Sequence, residues 1–143
     1  MLAVLLAVLA FRAVAQVGPT EITLGTNRVS ELQTNTAAAS ASVDVVGTKT
    51  VSLFLSARTG ASTNAGTITW PVQVSPDDTT FYTPTASGYR VAMPMSGTST
   101  SSVWATIDMS GARYFRLLPP ENPYGVGAST NYVTNMTAKY FYK

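Results

Sequence analysis

Two stretches of this chain alternate between apolar and polar side chains, and that period of two rules out most other folds for them. In residues 49–58, Val51, Leu53, Leu55 and Ala57 share one side, while Ser52, Ser56 and Arg58 share the other. In residues 67–75, Ile68, Trp70, Val72 and Val74 face one way and Thr67, Thr69, Gln73 and Ser75 the other. Successive side chains of a strand point to opposite faces, so each stretch predicts a half-buried β-strand. Pro71 falls on the polar side of the second stretch and has no N–H for a ladder bond. It predicts an edge strand, or a bulge at that point.

The rest of the chain reads the same way. Residues 21–26 are a candidate first strand. Ser75-Pro76-Asp77-Asp78 predicts a turn, because proline presets the first turn dihedral and aspartate bonds its own backbone, and Phe81-Tyr82 is a short return. Tyr89, Val91, Met93 and Met95 alternate along another strand, with Pro94 as a second edge signal. Residues 103–108 and 113–118 follow as strands. Residues 131–142 form a long last one, with Tyr132, Met136, Ala138, Tyr140 and Tyr142 on one side. The small-residue stretches 96–101 and 125–130 are loops, and no capped helical stripe follows Phe11. About eight strands at this spacing predict an all-β fold: a two-layer antiparallel β-sandwich of jelly-roll type, one domain over residues 16–143.

Composition narrows the function. Of 143 residues only 11% are charged, the net charge is +2, and 21 Thr and 14 Ser supply most of the polar surface. With neither Cys nor His, the chain has no thiolate nucleophile, disulfide, imidazole base or common zinc site. No basic run gives a reason to bind nucleic acid. Asp77-Asp78 is the one adjacent carboxylate pair, and only Glu121 and Asn122 could add ligands for a hard cation; it reads as a solvated turn. Gly125–Thr130 has glycines but neither the following Lys nor the helix that a phosphate loop needs. Asn135-Met136-Thr137 is a formal glycosylation sequon, placed mid-strand where glycan access is poor. The expectation is therefore a non-enzymatic chain with no metal and no cofactor.

The opening residues 1–15 form an apolar leader, MLAVLLAVLAF followed by Arg12 and Ala13-Val14-Ala15. The run is too short to span a bilayer, which takes about 20 helical residues. It matches the apolar core and small-x-small site of a secretory signal, although Arg12 lies after the apolar run where a signal carries its charge before it. Two readings stay open: a cleaved signal, or a retained assembly segment that buries Leu2, Leu5, Leu6, Leu9 and Phe11 against a partner.

An internal echo links two distant segments. Val43-Asp44-Val45-Val46-Gly47-Thr48-Lys49-Thr50-Val51-Ser52-Leu53 aligns with Ile107-Asp108-Met109-Ser110-Gly111-Ala112-Arg113-Tyr114-Phe115-Arg116-Leu117. Both read apolar, Asp, apolar, any, Gly, any, basic, any, apolar, any, Leu. Each copy predicts a strand, a bend that needs glycine, and a second strand entering the core: two similarly built corners of one sandwich. Asp44 and Asp108 are placed to bond backbone donors at the bend or to pair with Lys49 and Arg113. Arg113 and Arg116 are expected on opposite faces, with at most one fully in solvent.

These residues carry a resemblance. The strand at 50–56, the hairpin from Val72 through Val74-Ser75-Pro76-Asp77-Asp78 to Tyr82, and the Ile107–Leu117 segment resemble small β-sandwich structural proteins of tailed bacteriophage virions, of the head-decoration, fibre and tail-accessory type. There a V-S-x-D-G-x-x-W/Y hairpin and a V-D-x-S-G-x-R-Y-x-R-L strand recur; this chain has Asp78 where glycine is usual. The resemblance covers about residues 40–143. It implies a virion structural protein that decorates or cements a capsid or tail, with other copies of itself and other virion proteins as partners. The alternatives are a secreted carbohydrate-binding module that meets surface glycans, and a self-assembling extracellular filament subunit. Aromatic faces stack on sugars and anchor protein interfaces, so the candidate contact residues are Trp104, which falls opposite Val103, Ala105 and Ile107, together with Tyr82, Tyr89, Tyr124 and Tyr132. Trp70 is expected in the core.

Overall fold

The computed structural model describes residues 17–24, 28–30, 39–59, 66–95, 98–121 and 132–142. The assembly-segment residues Leu2, Leu5, Leu6, Leu9 and Phe11, the contact candidate Tyr124 and the 125–130 loop lie outside the described residues, as does the side chain of Tyr132. Among the described residues no helix is long and apolar enough to cross a membrane.

Among the described residues nine strands form two antiparallel sheets: β1 (Val17–Glu21), β2 (Arg28–Ser30), β3 (Val43–Asp44), β4 (Thr50–Thr59), β5 (Gly66–Ser75), β6 (Arg90–Met95), β7 (Thr100–Asp108), β8 (Tyr114–Leu117) and β9 (Tyr132–Tyr142). A 3-10 turn, Ser87–Tyr89, precedes β6. β1 and β2 lie along the same side of β9, pairing with its end and its beginning respectively. The first sheet thus runs β1/β2-β9-β4-β7 and the second β3-β8-β5-β6. Each sheet is four positions wide. Counting β1 and β2 as one, the orders are 1-8-3-6 and 2-7-4-5, the eight-position jelly-roll sandwich expected from the strand spacing.

The alternation of the sequence becomes the core directly. Val51, Leu53, Leu55 and Ala57 of β4 are fully buried against Ile68, Trp70, Val72 and Val74 of β5, and Val91, Met93 and Met95 of β6 join them. Ile107, Phe115 and Leu117 complete the layer from β7 and β8.

The echo forms two corners that are bonded to each other. In sheet two, Val43 pairs with Phe115 and Asp44 with Tyr114; in sheet one, Ile107 pairs with Val51 and Asp108 with Thr50. Each copy's first strand therefore pairs with the other copy's second strand. The bends match as well. Gly47 and Gly111 have φ of 77° and 81°, and the N–H groups of Thr48 and Ala112 donate back to the carbonyls of Val45 and Met109. Val45 N–H donates to the Arg113 carbonyl at 2.9 Å and Met109 N–H to the Lys49 carbonyl at 2.7 Å, a reciprocal pair of ties between the corners.

Several local expectations are corrected. The first strand ends at Glu21 rather than starting there, although Ile22 still enters the core. Pro71 does not lie on an edge strand, because β5 is flanked by β6 and β8; the irregularity expected at that point is present, with the extra residue on the neighbouring segment rather than on β5. Pro71 is tolerated because the β8 ladder stops beside it. Leu118 N–H donates to the Pro71 carbonyl, and the next contact, Thr69 with Glu121, takes three residues on one side for two on the other. Pro94 does lie on an edge strand, β6. Ser75, expected outside, is fully buried because the following turn folds back over it: its Oγ accepts the N–H groups of Asp77 and Asp78. Asp78, at the usual glycine position, adopts φ 64°. In β9 the pairing with β4 shifts between Ser56 and Arg58, and Asn135 sits there with φ 50°. That bulge changes the inward phase, so Val133 is buried ahead of Met136 and Ala138, and Asn135 is exposed.

Candidate functional site: an aromatic face on the first sheet

Burial of Leu53 and Leu55 forces Phe54 to the outside of β4, and burial of Met136 and Ala138 sets Phe141 outward on β9 by the same alternation. Trp104 has the outward phase on β7. The register then collects them. Phe54 lies directly opposite Trp104, and Ser52, the next outward residue of β4, lies between Thr106 and Phe141. Because Ser52 is small, the indole of Trp104 leans across β4 to reach β9. Its ring centroid is 4.9 Å from Phe54 and 5.2 Å from Phe141, with interplanar angles of 50° and 34°. Tilted pairs at such separations add about 0.5–1.5 kcal/mol beyond area burial.

Trp104 stays 62% exposed, the largest side chain the described surface offers to solvent, whereas Trp70 is 1% exposed in the core. Around the aromatic group the register places Ser56, Ser102, Thr106 and Thr137, with Lys139 opposite Phe54 and Glu21 opposite Lys139. Ser56 and Thr137 hydroxyls are 2.8 Å apart and bonded. The result is a face with an aromatic centre, hydroxyls around it, and the Lys139 and Glu21 charges to one side.

The other aromatic candidates do not join it. Tyr82 is half exposed but lies beside β5 of the second sheet, bridged to Val74. Tyr89 packs against the core, and its hydroxyl donates to the Asp108 carbonyl. Burial, then the Asp108 charge, then Tyr82 hold that phenol above its ordinary pKa. It is a tie between the 3-10 turn and β7 rather than a contact residue. Phe54 and Phe141 are the members that strand alternation could have found. Phe54 is an aromatic between two outward serines, and Phe141 lies between Tyr140 and Tyr142.

The carboxylates are engaged locally. Asp44 accepts both the Arg113 guanidinium and the Val46 N–H, and the arginine bond is the main cause of its lowered pKa. Asp108 accepts Ser110 N–H and is lowered mainly by Ser110. Asp77 Oδ1 accepts the N–H groups of Thr79 and Thr80 and the Ser75 hydroxyl, holding this carboxyl well below the usual range. These bonds of Asp77 Oδ1 all lie within its own turn. Among the described residues no group of three or more acidic side chains is placed to hold a metal ion. Of the two arginines at most one is fully in solvent, as expected: Arg113 is exposed and paired with Asp44, whereas Arg116 is half-buried, bonded to Gln73 with its guanidinium 4.0 Å over Phe81.

The fold and this face define the chain as a jelly-roll β-sandwich with an exposed aromatic platform. Comparison with known proteins finds no match: no protein family, no curated protein and no solved structure.

Proposed function

We propose that the chain is a non-enzymatic structural protein of a tailed-phage particle, which decorates or cements a capsid or tail by docking the Phe54–Trp104–Phe141 face onto neighbouring virion proteins. The observation that carries this reading is Trp104, flanked by two phenylalanines and yet mostly exposed at the centre of a face whose nearest outward neighbours are largely hydroxyl side chains. Aromatic anchors of this kind are enriched at the centres of protein interfaces, where charge is depleted. Particles purified from the source should contain the chain in many copies, and Trp104→Ala should lower its occupancy without unfolding it. Its absence from purified particles would exclude the virion role.

The surrounding hydroxyls favour a second reading, a secreted module that stacks sugar rings on Trp104. On a glycan array that reading requires a ligand whose binding is lost in Trp104→Ala.

A further inference from the structure

The first sheet ends in β7, and this edge differs from the others. Edge strands are normally guarded by shortness, proline, charge or a bulge, because unpaired backbone groups invite another strand. β3 has two residues. β6 carries Arg90 and Pro94, and β1 carries Pro19 and a register shift. β7 has nine residues, no proline, no charge before Asp108, and an unbroken register with β4 from Thr100 to Asp108. Among the described residues no strand pairs with its other side.

The direction of its backbone follows from two bonds. Met109 N–H donates to the Lys49 carbonyl of the strand that leads into β4, whereas the Asp108 carbonyl points away from β4 and receives the Tyr89 hydroxyl. By alternation, the backbone N–H and C=O groups of Thr100, Ser102, Trp104 and Thr106 face the open edge. The inward side chains here are also incompletely covered: Val103 and Ala105 are half-buried, while Leu53 and Leu55 beside them on β4 are fully buried.

We infer that this edge pairs with β7 of a second copy of the chain, antiparallel and about a two-fold axis at Trp104. Trp104 is the central residue of Thr100–Asp108, so the pairing sets Ser102 against Thr106 of the second copy and Trp104 against Trp104. Each of these pairs exchanges both of its N–H···O=C bonds. The only charge in the strand, Asp108, falls opposite Thr100, so no like charges meet. Both indoles lie on the same outer face, and the two aromatic groups become one continuous row across the joined sheets. An isologous contact of this kind closes at two copies. It goes beyond the virion role and is independent of it, because the dimer forms or fails to form in purified protein with no particle present.

Sedimentation equilibrium of the full chain tests the pairing. A monomer–dimer equilibrium is expected. Trp104→Glu and Trp104→Lys, which set like charges face to face across the axis, should each weaken it at least about tenfold. An equimolar mixture of the two should restore it. Ser102→Pro and Thr106→Pro remove only edge-facing N–H groups, leave the β4 ladder intact, and should also abolish dimerisation. A wild-type chain that stays monomeric overturns the inference. So does a mixture that fails to restore the dimer, or a dimer that survives proline, which would mark contact through the aromatic face. If the proline variants do not fold, amide exchange in the wild type decides between these. Protection of Ser102, Trp104 and Thr106 amides that disappears on dilution supports edge pairing, and protection unchanged by dilution overturns it.

Discussion

Replacing the corner glycines with alanine tests whether the echoed segments fold as described. Gly47 and Gly111 have φ of 77° and 81°, and a Cβ built on either meets no atom within 4 Å. The substitution therefore carries no packing clash, and its cost is that of holding an L-residue in the left-handed region, about 1–2 kcal/mol. Against this, alanine restricts the unfolded chain and returns about 0.4–1 kcal/mol. The net expectation is a loss of roughly 0.5–1.5 kcal/mol at each site, similar for both because their geometry is shared, and a fall in Tm of about 2–6 °C. Gly88 is the internal control. A Cβ there also meets nothing within 4 Å, but its φ is not positive, so Gly88→Ala should be neutral or slightly stabilising. Differential scanning calorimetry with urea titration reads all three. If Gly111→Ala matches Gly88→Ala, the left-handed bend is absent and the corner argument fails.

Three further outcomes follow from particular contacts. Ser75→Ala removes the buried acceptor of the Asp77 and Asp78 N–H groups, and urea unfolding should show a loss of about 1–3 kcal/mol. The carboxyls of Asp44, Asp77 and Asp108 are all lowered by hydrogen bonds to their charged forms. Their stabilisation is therefore fully present above the unfolded value near 3.8 and is lost as pH falls below it through the folded values; Asp77→Asn should flatten the fall of Tm with pH in that acid window. Finally, Trp104→Phe leaves Trp70 as the only tryptophan, fully buried, so emission should shift to the blue and resist acrylamide quenching. An unshifted, quenchable spectrum would mean that Trp70 is not in the core.

The layering was legible wherever side-chain alternation ran unbroken. Val51, Leu53, Leu55, Ile68, Trp70, Val72 and Val74 are inward because a period of two leaves one solution. Legibility failed where the chain departs from that period for reasons outside the strand. Ser75 is covered by a turn that comes after it, and the inward phase of β9 changes at Asn135, a residue whose side chain tolerates positive φ and so leaves no break in the pattern. Pro71 signals a missing ladder bond correctly, but not that an interior strand can lose one where its neighbour ends. The aromatic face was only a third visible. Trp104 stands out alone, while Phe54 and Phe141 join it through pairings between segments about fifty and ninety residues apart, which no local pattern encodes.

The two corners also explain why the exposed face and the open edge occur together. Their ties are reciprocal, so the same device passes the chain from sheet two to sheet one at Gly47 and back at Gly111. The second strand of each copy lies inside its sheet, as β4 and β8 do, and the first strand of each copy is an edge, as β3 and β7 are. The corners differ in what closes them. Asp44 is joined to Arg113 across the sheet, whereas Lys49 makes no such pair with Asp108 among the described residues, and the Asp108 carbonyl is capped by Tyr89 instead. The edge at β3 is thus two residues long and carries an ion pair, while the edge at β7 is nine residues long and, among the described residues, receives a side-chain bond only at its last carbonyl. A duplicated corner finished differently at its two occurrences leaves one long strand able to accept another, with Trp104 at its middle.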